Sequence, residues 1–257
     1  MVELRYHHYR GSIRRLVEAR LLPFYKFLAR ILEFSRNYFV LDLRASSPQL
    51  WSVRIVDEEQ YRDTQIAGNL RKLMTNYSDD SEWNMKLGEV RKDIIRRFMG
   101  RTSLSGMCLG ARNGAEVRWL THSLASEFKQ LTVVGTDISD TALKFPQMIV
   151  HDFHDPLPEN LLGQDFLYSN SLDQSQYPQR ALQNWIHALA DHGALYLWST
   201  RAHGKSGQSK LDPFALETEL LPFVLLQWFS GKAYVERILA ADTSEPGNVV
   251  FVVRKIV

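Results

Sequence analysis

From Gly100 onward, apolar segments of strand length alternate with segments of helical period, and few chain paths close such an alternation into a compact body. Strands are expected at residues 105–109, 131–136, 148–151, 165–169 and 194–198. Helices are expected at 115–128, near Thr141, at 179–190 and around 214–220. Crossover helices join parallel strands, so this reads as α/β architecture with a mostly parallel sheet. Two further strands, 233–240 and 248–254, are separated only by a turn-rich link at 242–247. That link is too short for a crossover helix, so the pair is expected to run antiparallel.

The first hundred residues read differently. Between residues 12 and 34, Ile13, Leu16, Val17, Phe24, Phe27, Leu28 and Ile31 recur at helical spacing among Arg14, Arg15, Arg20, Lys26 and Arg30, and Pro23 splits the stretch in two. An apolar stripe beside a basic face packs on its own protein with the arginines in water; the alternative is peripheral contact with an anionic membrane surface. Residues 38–43 and 51–56 read as a β-hairpin, and 58–77 and 82–98 as helices, with Ser81 as an N-cap and Gly100 as a stop. Residues 1–100 are therefore expected to form an α+β accessory region, and 101–257 the main domain.

Composition narrows the class. With 45% hydrophobic and 23% charged residues the chain reads as globular, and a net charge of +2 is too small to point to a polyanionic partner. A lone cysteine, Cys108, permits no internal disulfide and reads as a buried strand residue. No apolar run reaches membrane-spanning length and the N-terminus lacks a secretory pattern, so a cytoplasmic protein is expected. His7 with His8, or His151 with His154, lack a third ligand, and no metal is expected.

The turn after the first main-domain strand reads MCLGARNGAEV, from Met107 to Val117. Gly110 and Gly114 there let backbone pass close to a ligand, and free N–H groups at the next helix start can face a polar group. The spacing is not the G-x-G-x-x-G of dinucleotide binders, which weakens a nicotinamide reading. Some two dozen residues on, VVGTDIS ends a strand with Asp137, where a carboxylate can accept hydrogen bonds from both ribose hydroxyls. The next strand ends in HDFHD, which places Asp152 and Phe153 to meet an adenine.

These residues resemble class I S-adenosylmethionine-dependent methyltransferases, in particular a variant group whose first motif reads CLGAR-x-G-x-E. The resemblance covers about Gly106 to the C-terminus and implies a Rossmann-like sheet with an antiparallel C-terminal strand. It also implies S-adenosylmethionine as cofactor. On it, Gly110, Ala111, Arg112 and Gly114 lie under the methionine portion, Asp137 holds the ribose and Ile138 lies against the adenine. Asp152 and Phe153 match the third motif, while Asn170 and Ser171 in YSNSLDQ line the cofactor and face substrate. The sequence departs from the family's pattern at Cys108, usually acidic, and at Arg112, usually glycine. Glu116 is a candidate to replace the lost acid by facing the cofactor's amino group.

Methyl transfer from a sulfonium is an in-line displacement that needs alignment and, for a hydroxyl acceptor, a base. His203 in TRAHGKSG and Asp173 are the preferred catalytic pair among residues near strand C-termini, ahead of His154 and His192. The segment at Asn170 lacks the Pro-Pro-aromatic continuation of enzymes that methylate nucleic-acid amino groups, which argues against a nucleic-acid partner. An O-methyltransferase acting on a small molecule or a glycan is expected, with an inactive partner-binding module as the alternative. Residues 201–210 read as a lid or as a free surface loop.

Overall fold

The computed structural model describes residues 50–73, 80–241 and 247–256. The basic segment 12–34, the strand expected at 38–43, and His7 and His8 lie outside them. From Trp51 on, the chain forms one compact unit. Its strands are β1 (Trp51–Val53), β2 (Ser103–Leu109), β3 (Gln130–Asp137), β4 (Met148–Val150), β5 (Gln164–Ser169), β6 (Leu189–Ser199), β7 (Phe214–Leu216), β8 (Ala233–Ala240) and β9 (Val249–Lys255). Its α-helices are α1 (Glu58–Arg71), α2 (Asp80–Arg97), α3 (Ala115–Leu124), α4 (Pro178–Ala188) and α5 (Leu221–Phe229).

Seven strands form the main sheet in the order β4-β3-β2-β5-β6-β9-β8. Five are parallel; β9 inserts between β6 and β8 and runs antiparallel to both. This is the mixed α/β, Rossmann-like architecture with an antiparallel C-terminal strand. Chain order reverses between β2 and β5, which makes the crevice beyond their C-terminal ends the topological switch point.

The central strands are apolar on both sides because helices cover both sides. Cys108, Tyr168, Tyr196 and Val252 share one face with Leu87, Val90 and Ile94 of α2 and Val117, Leu120 and Leu124 of α3. The alternate residues Met107, Leu167, Leu195 and Phe251 are buried on the other face, as are Leu182 and Trp185 of α4. The helices α1 and α2, expected in the accessory region, thus belong to the same compact unit as the sheet, and α2 supplies part of its core. Gly100 follows α2 with φ +85°, a left-handed position that suits glycine and ends the helical path.

One expectation is corrected. Among the described residues, the segment at 51–56 supplies β1, which pairs with β7, with Trp51 opposite Leu216 and Val53 opposite Phe214. The expected helix at 214–220 is therefore a strand followed by a 3-10 turn, Thr218–Leu220. Long-range pairing with β1 overrides local propensity, and the buried Phe214, Ala215 and Leu216 satisfy it. The helix instead occupies Leu221–Phe229, where a nearly unbroken apolar run hides the period of 3.6. Among the described residues, no helix is long and apolar enough to cross a membrane.

Candidate functional site

The turn between β2 and α3 is wound through left-handed backbone: φ is +71° at Gly110, +44° at Arg112 and +66° at Gly114. Arg112, standing where the resemblance leads one to expect glycine, adopts the same backbone region, and its N–H donates to Asp137 Oδ2 at 3.0 Å. Ala111 N–H donates to Thr136 O at 2.8 Å, which ties the turn to the end of β3. From the other side, Ser171 Oγ donates to Gly110 O at 3.1 Å and Ser169 Oγ donates to Leu109 O at 3.0 Å. A Cβ at Gly110 would stand 2.8 Å from Ser171 Cβ, so only glycine lets the β5 end approach this closely.

Asp137 closes β3 and is buried. Oδ1 accepts from Ser139 N at 2.9 Å and from Asn69 Nδ2 at 2.8 Å, so a side chain of α1 reaches the carboxylate. Burial raises its pKa above the ordinary carboxylate value, against the lowering effect of these donors. At the end of β4, Asp152 Oδ1 accepts from His154 N at 2.9 Å and lies 2.8 Å from His154 Nδ1. His154 Nε2 lies 2.7 Å from Ser175 Oγ. Despite partial burial, which acts the other way, the His154 bonds hold the Asp152 pKa below its usual value.

Gly110, Asp137, Ile138, Asp152 and Phe153 line a single cleft at the switch point. They come from three separate strand ends, β2, β3 and β4, and all five were expected to contact a cofactor. Sequence reasoning missed the remaining wall: Tyr61, Gln65 and Asn69 of α1, and Gln174. Tyr61 Oη donates to Gln174 O at 2.8 Å, and Gln65 Nε2 donates to Leu211 O at 2.7 Å. A stripe of polar or hydroxyl-bearing side chains at i, i+4 and i+8 was the signal available.

Ala111, Arg112 and Gly114 shape the turn, and Asn170 and Ser171 sit beside it at the β5 end without lining that cleft. Glu116 is not brought to the cleft. It is buried, and its carboxyl pKa is pushed up to about 7, chiefly by desolvation. Its charge acts on Cys108 and Tyr168, whose own pKa values rise mainly through burial. A raised carboxyl pKa means the fold prefers the neutral acid. Stability is full below the unfolded value near 4.5 and falls as pH climbs toward 7. Glu116→Gln is expected to match the parent in thermal melts at pH 4 and to exceed it by roughly 3 kcal/mol at pH 8. Equal melting temperatures at both pH values would refute a neutral buried Glu116.

His203 and Asp173 both line a second cavity, with Nε2 3.5 Å from Oδ2, longer than a well-formed hydrogen bond. The stretch 201–210 is tied down: Lys205 N–H donates to Glu217 Oε1 at 3.2 Å, Gln208 Nε2 to Pro213 O at 2.7 Å, and Ser209 Oγ to Asp212 Oδ2 at 2.9 Å. A free surface loop is not what the chain forms here.

No protein-family profile and no curated protein sequence matches the chain. Solved structures do match it. An O-methyltransferase of neocarzinostatin biosynthesis, determined with S-adenosylmethionine and 2-hydroxy-5-methyl naphthoic acid, aligns with a TM-score of 0.53 at 12% identity. The alignment covers 74% of this chain and 59% of that one. The plantazolicin methyltransferase BpumL, determined with S-adenosylhomocysteine, aligns at 0.56 and 12% identity, over 77% and 96%. The methyltransferase CalH, also with S-adenosylhomocysteine, aligns at 0.53 and 17% identity, over 73% and 62%. The fold is that of class I methyltransferases. At such identities the likeness speaks for the fold alone, and this chain spans under two thirds of the first and last of these proteins.

Proposed function

We propose that this chain is an S-adenosylmethionine-dependent methyltransferase that methylates oxygen on a small-molecule or glycan acceptor. The observation that carries the proposal is the convergence of Gly110, Asp137, Ile138, Asp152 and Phe153 on one cleft at the switch point of a methyltransferase-like sheet.

The residues suit the cofactor. Asp137 is held by two backbone N–H groups, so a carboxylate is fixed at a strand tip where it can accept from ribose hydroxyls. Ile138 and Phe153 offer apolar surface to a flat base, and Asp152, anchored through Oδ1 by His154, keeps Oδ2 to accept from an amino group. The Gly110 turn lets backbone approach the methionine portion. The bound cofactor supplies an electrophilic methyl group on a sulfonium. The chain's part is to hold donor and acceptor in line, to exclude water, and to take the acceptor's proton near the Leu172–Gln174 turn, which follows β5.

Calorimetric titration tests this directly. Saturable binding of S-adenosylmethionine and S-adenosylhomocysteine is expected, with no heat from NAD. No binding of S-adenosylmethionine at millimolar concentration would sink the proposal. Transfer of tritiated methyl groups to fractions of a cell extract then identifies the acceptor class.

A further inference from the structure

The helix α1 buries polar side chains against the cofactor cleft. Those it buries are Tyr61, Gln65 and Asn69, while Leu70 is exposed and Ile66 half-buried. Each of the three donates one hydrogen bond beyond the helix: Tyr61 to Gln174 O, Gln65 to Leu211 O and Asn69 to Asp137 Oδ1. Hydrogen bonds exchanged with water contribute little net free energy, so a helix held this way gives way more readily than one held by an apolar stripe. Asp57 caps its first turn, Oδ1 accepting from Glu59 N and Gln60 N, so α1 keeps its own shape when the side-chain bonds are exchanged.

The bond from Asn69 falls on the atom that a ribose needs. Asp137 has three donors: Asn69 Nδ2 at 2.8 Å and Ser139 N at 2.9 Å on Oδ1, and Arg112 N at 3.0 Å on Oδ2. An ionised carboxylate offers about four acceptor positions, and the two ribose hydroxyls claim two of them. Both hydroxyls cannot be served while all three present donors stay. Two of the three are backbone N–H groups of the turn and of the β3 end; Asn69 is the one side chain among them, and it can swing away. Space requires the same movement. The cleft, about 290 Å³ with its open mouth, falls short of the roughly 300–1,000 Å³ of small-molecule sites.

We infer that Asn69 stands in for a ribose hydroxyl at Asp137 and gates the cleft: the nucleoside part of the cofactor enters by displacing the Asn69 amide from Oδ1, and α1 shifts with it. The inference rests on the methyltransferase reading and adds to it a residue that sets how readily the cofactor binds. The exchange favours a cis-diol, which returns two donors to Asp137 for the one displaced. A ligand with no hydroxyl there leaves the carboxylate a donor short, so the gate selects for a ribonucleoside. The other end of the amide lets go easily: Asn69 Oδ1 accepts from Arg112 Nε at 3.4 Å, a long and weak bond.

The experiment uses the full chain with S-adenosylhomocysteine as the probe, calorimetry for affinity and stopped-flow fluorescence for the association rate. Asn69→Ala, which removes the competing donor, is expected to bind about tenfold more tightly than the parent, with the gain carried by faster association. Asn69→Ser, too short to reach Oδ1, should behave alike. Gln65→Ala loosens the same helix but leaves the donors of Asp137 in place, so its gain should stay below about threefold. A side chain that merely steadies Asp137 for the ribose predicts the opposite sign. Weaker binding by the Asn69 variants, or unchanged affinity and rate, therefore overturns the inference. An equal or larger gain in Gln65→Ala overturns it too, since α1 would then act as a cover without regard to Asp137. So does failure of both Asn69 variants to fold in thermal melts, because a side chain that yields to a ligand has to be dispensable to the fold. In each of these cases saturable binding by the parent leaves the methyltransferase reading standing. No binding by the parent or by either Asn69 variant overturns both.

Discussion

Asp137→Ala is expected to weaken S-adenosylmethionine binding by about 30- to 1000-fold, a loss of roughly 2–4 kcal/mol measured by calorimetry. Two effects add. On the methyltransferase reading proposed above, the variant loses charge-assisted bonds to the ribose hydroxyls, each among the stronger hydrogen bonds available to a protein. It also deprives Arg112 N, Ser139 N and Asn69 Nδ2 of their common acceptor, so the turn carrying Gly110 loses one of its ties to the end of β3 and keeps the Ala111 N–H bond to Thr136 O. Asp137→Asn keeps one oxygen, which can serve Ser139 N and Asn69 Nδ2 or Arg112 N but not both sides, and loses the charge, so a smaller loss of about tenfold is expected. Affinity unchanged in both variants would place the ribose elsewhere.

The parts of this site visible in the sequence are those that the strand ends carry. Gly110, Asp137, Ile138, Asp152 and Phe153 each follow directly on a strand whose apolar run is legible, and the parallel sheet brings successive strand ends to one edge. The contribution of α1 was hidden for a physical reason. Tyr61, Gln65 and Asn69 are buried, yet two are polar, so a search for an apolar stripe passes over them. Their partners, Gln174, Leu211 and Asp137, lie 68 to 146 residues away in sequence. The misread strand at Phe214–Leu216 has the same origin: three apolar residues pair with Trp51–Val53 across most of the chain, and nothing local distinguishes them from the start of a helix. The Arg112 position shows the converse. Arg112 departs from the glycine of the family's pattern, and one backbone hydrogen bond to Asp137 supports the left-handed conformation that glycine would have taken without help.

A second large effect is expected far from the cleft lining. Asp93 of α2 is buried, and Tyr196 Oη donates to its Oδ2 at 2.8 Å. Arg237 donates to Oδ1 at 2.9 Å, and Arg97 approaches Oδ2 at 3.3 Å. Arg97 also pairs with Glu236, which Arg254 reaches at 3.4 Å, so the carboxylate joins α2 to β6 and β8. Asp93→Ala leaves the fully buried Tyr196 hydroxyl without this acceptor and strips Arg97 of one of two carboxylates. Removing one partner from a buried charged network costs about 3–5 kcal/mol, which for a unit of this size lowers the melting temperature by roughly 10 °C. Asp93→Asn keeps an acceptor for Tyr196 and should lose less than half as much. Because neither Asp93 nor its partners line the cofactor cleft, S-adenosylhomocysteine affinity of the folded variants should stay within a few-fold of the parent. An Asp93→Ala protein that melts with the parent would show that these donors find other partners and that α2 is held to the sheet by its apolar face alone.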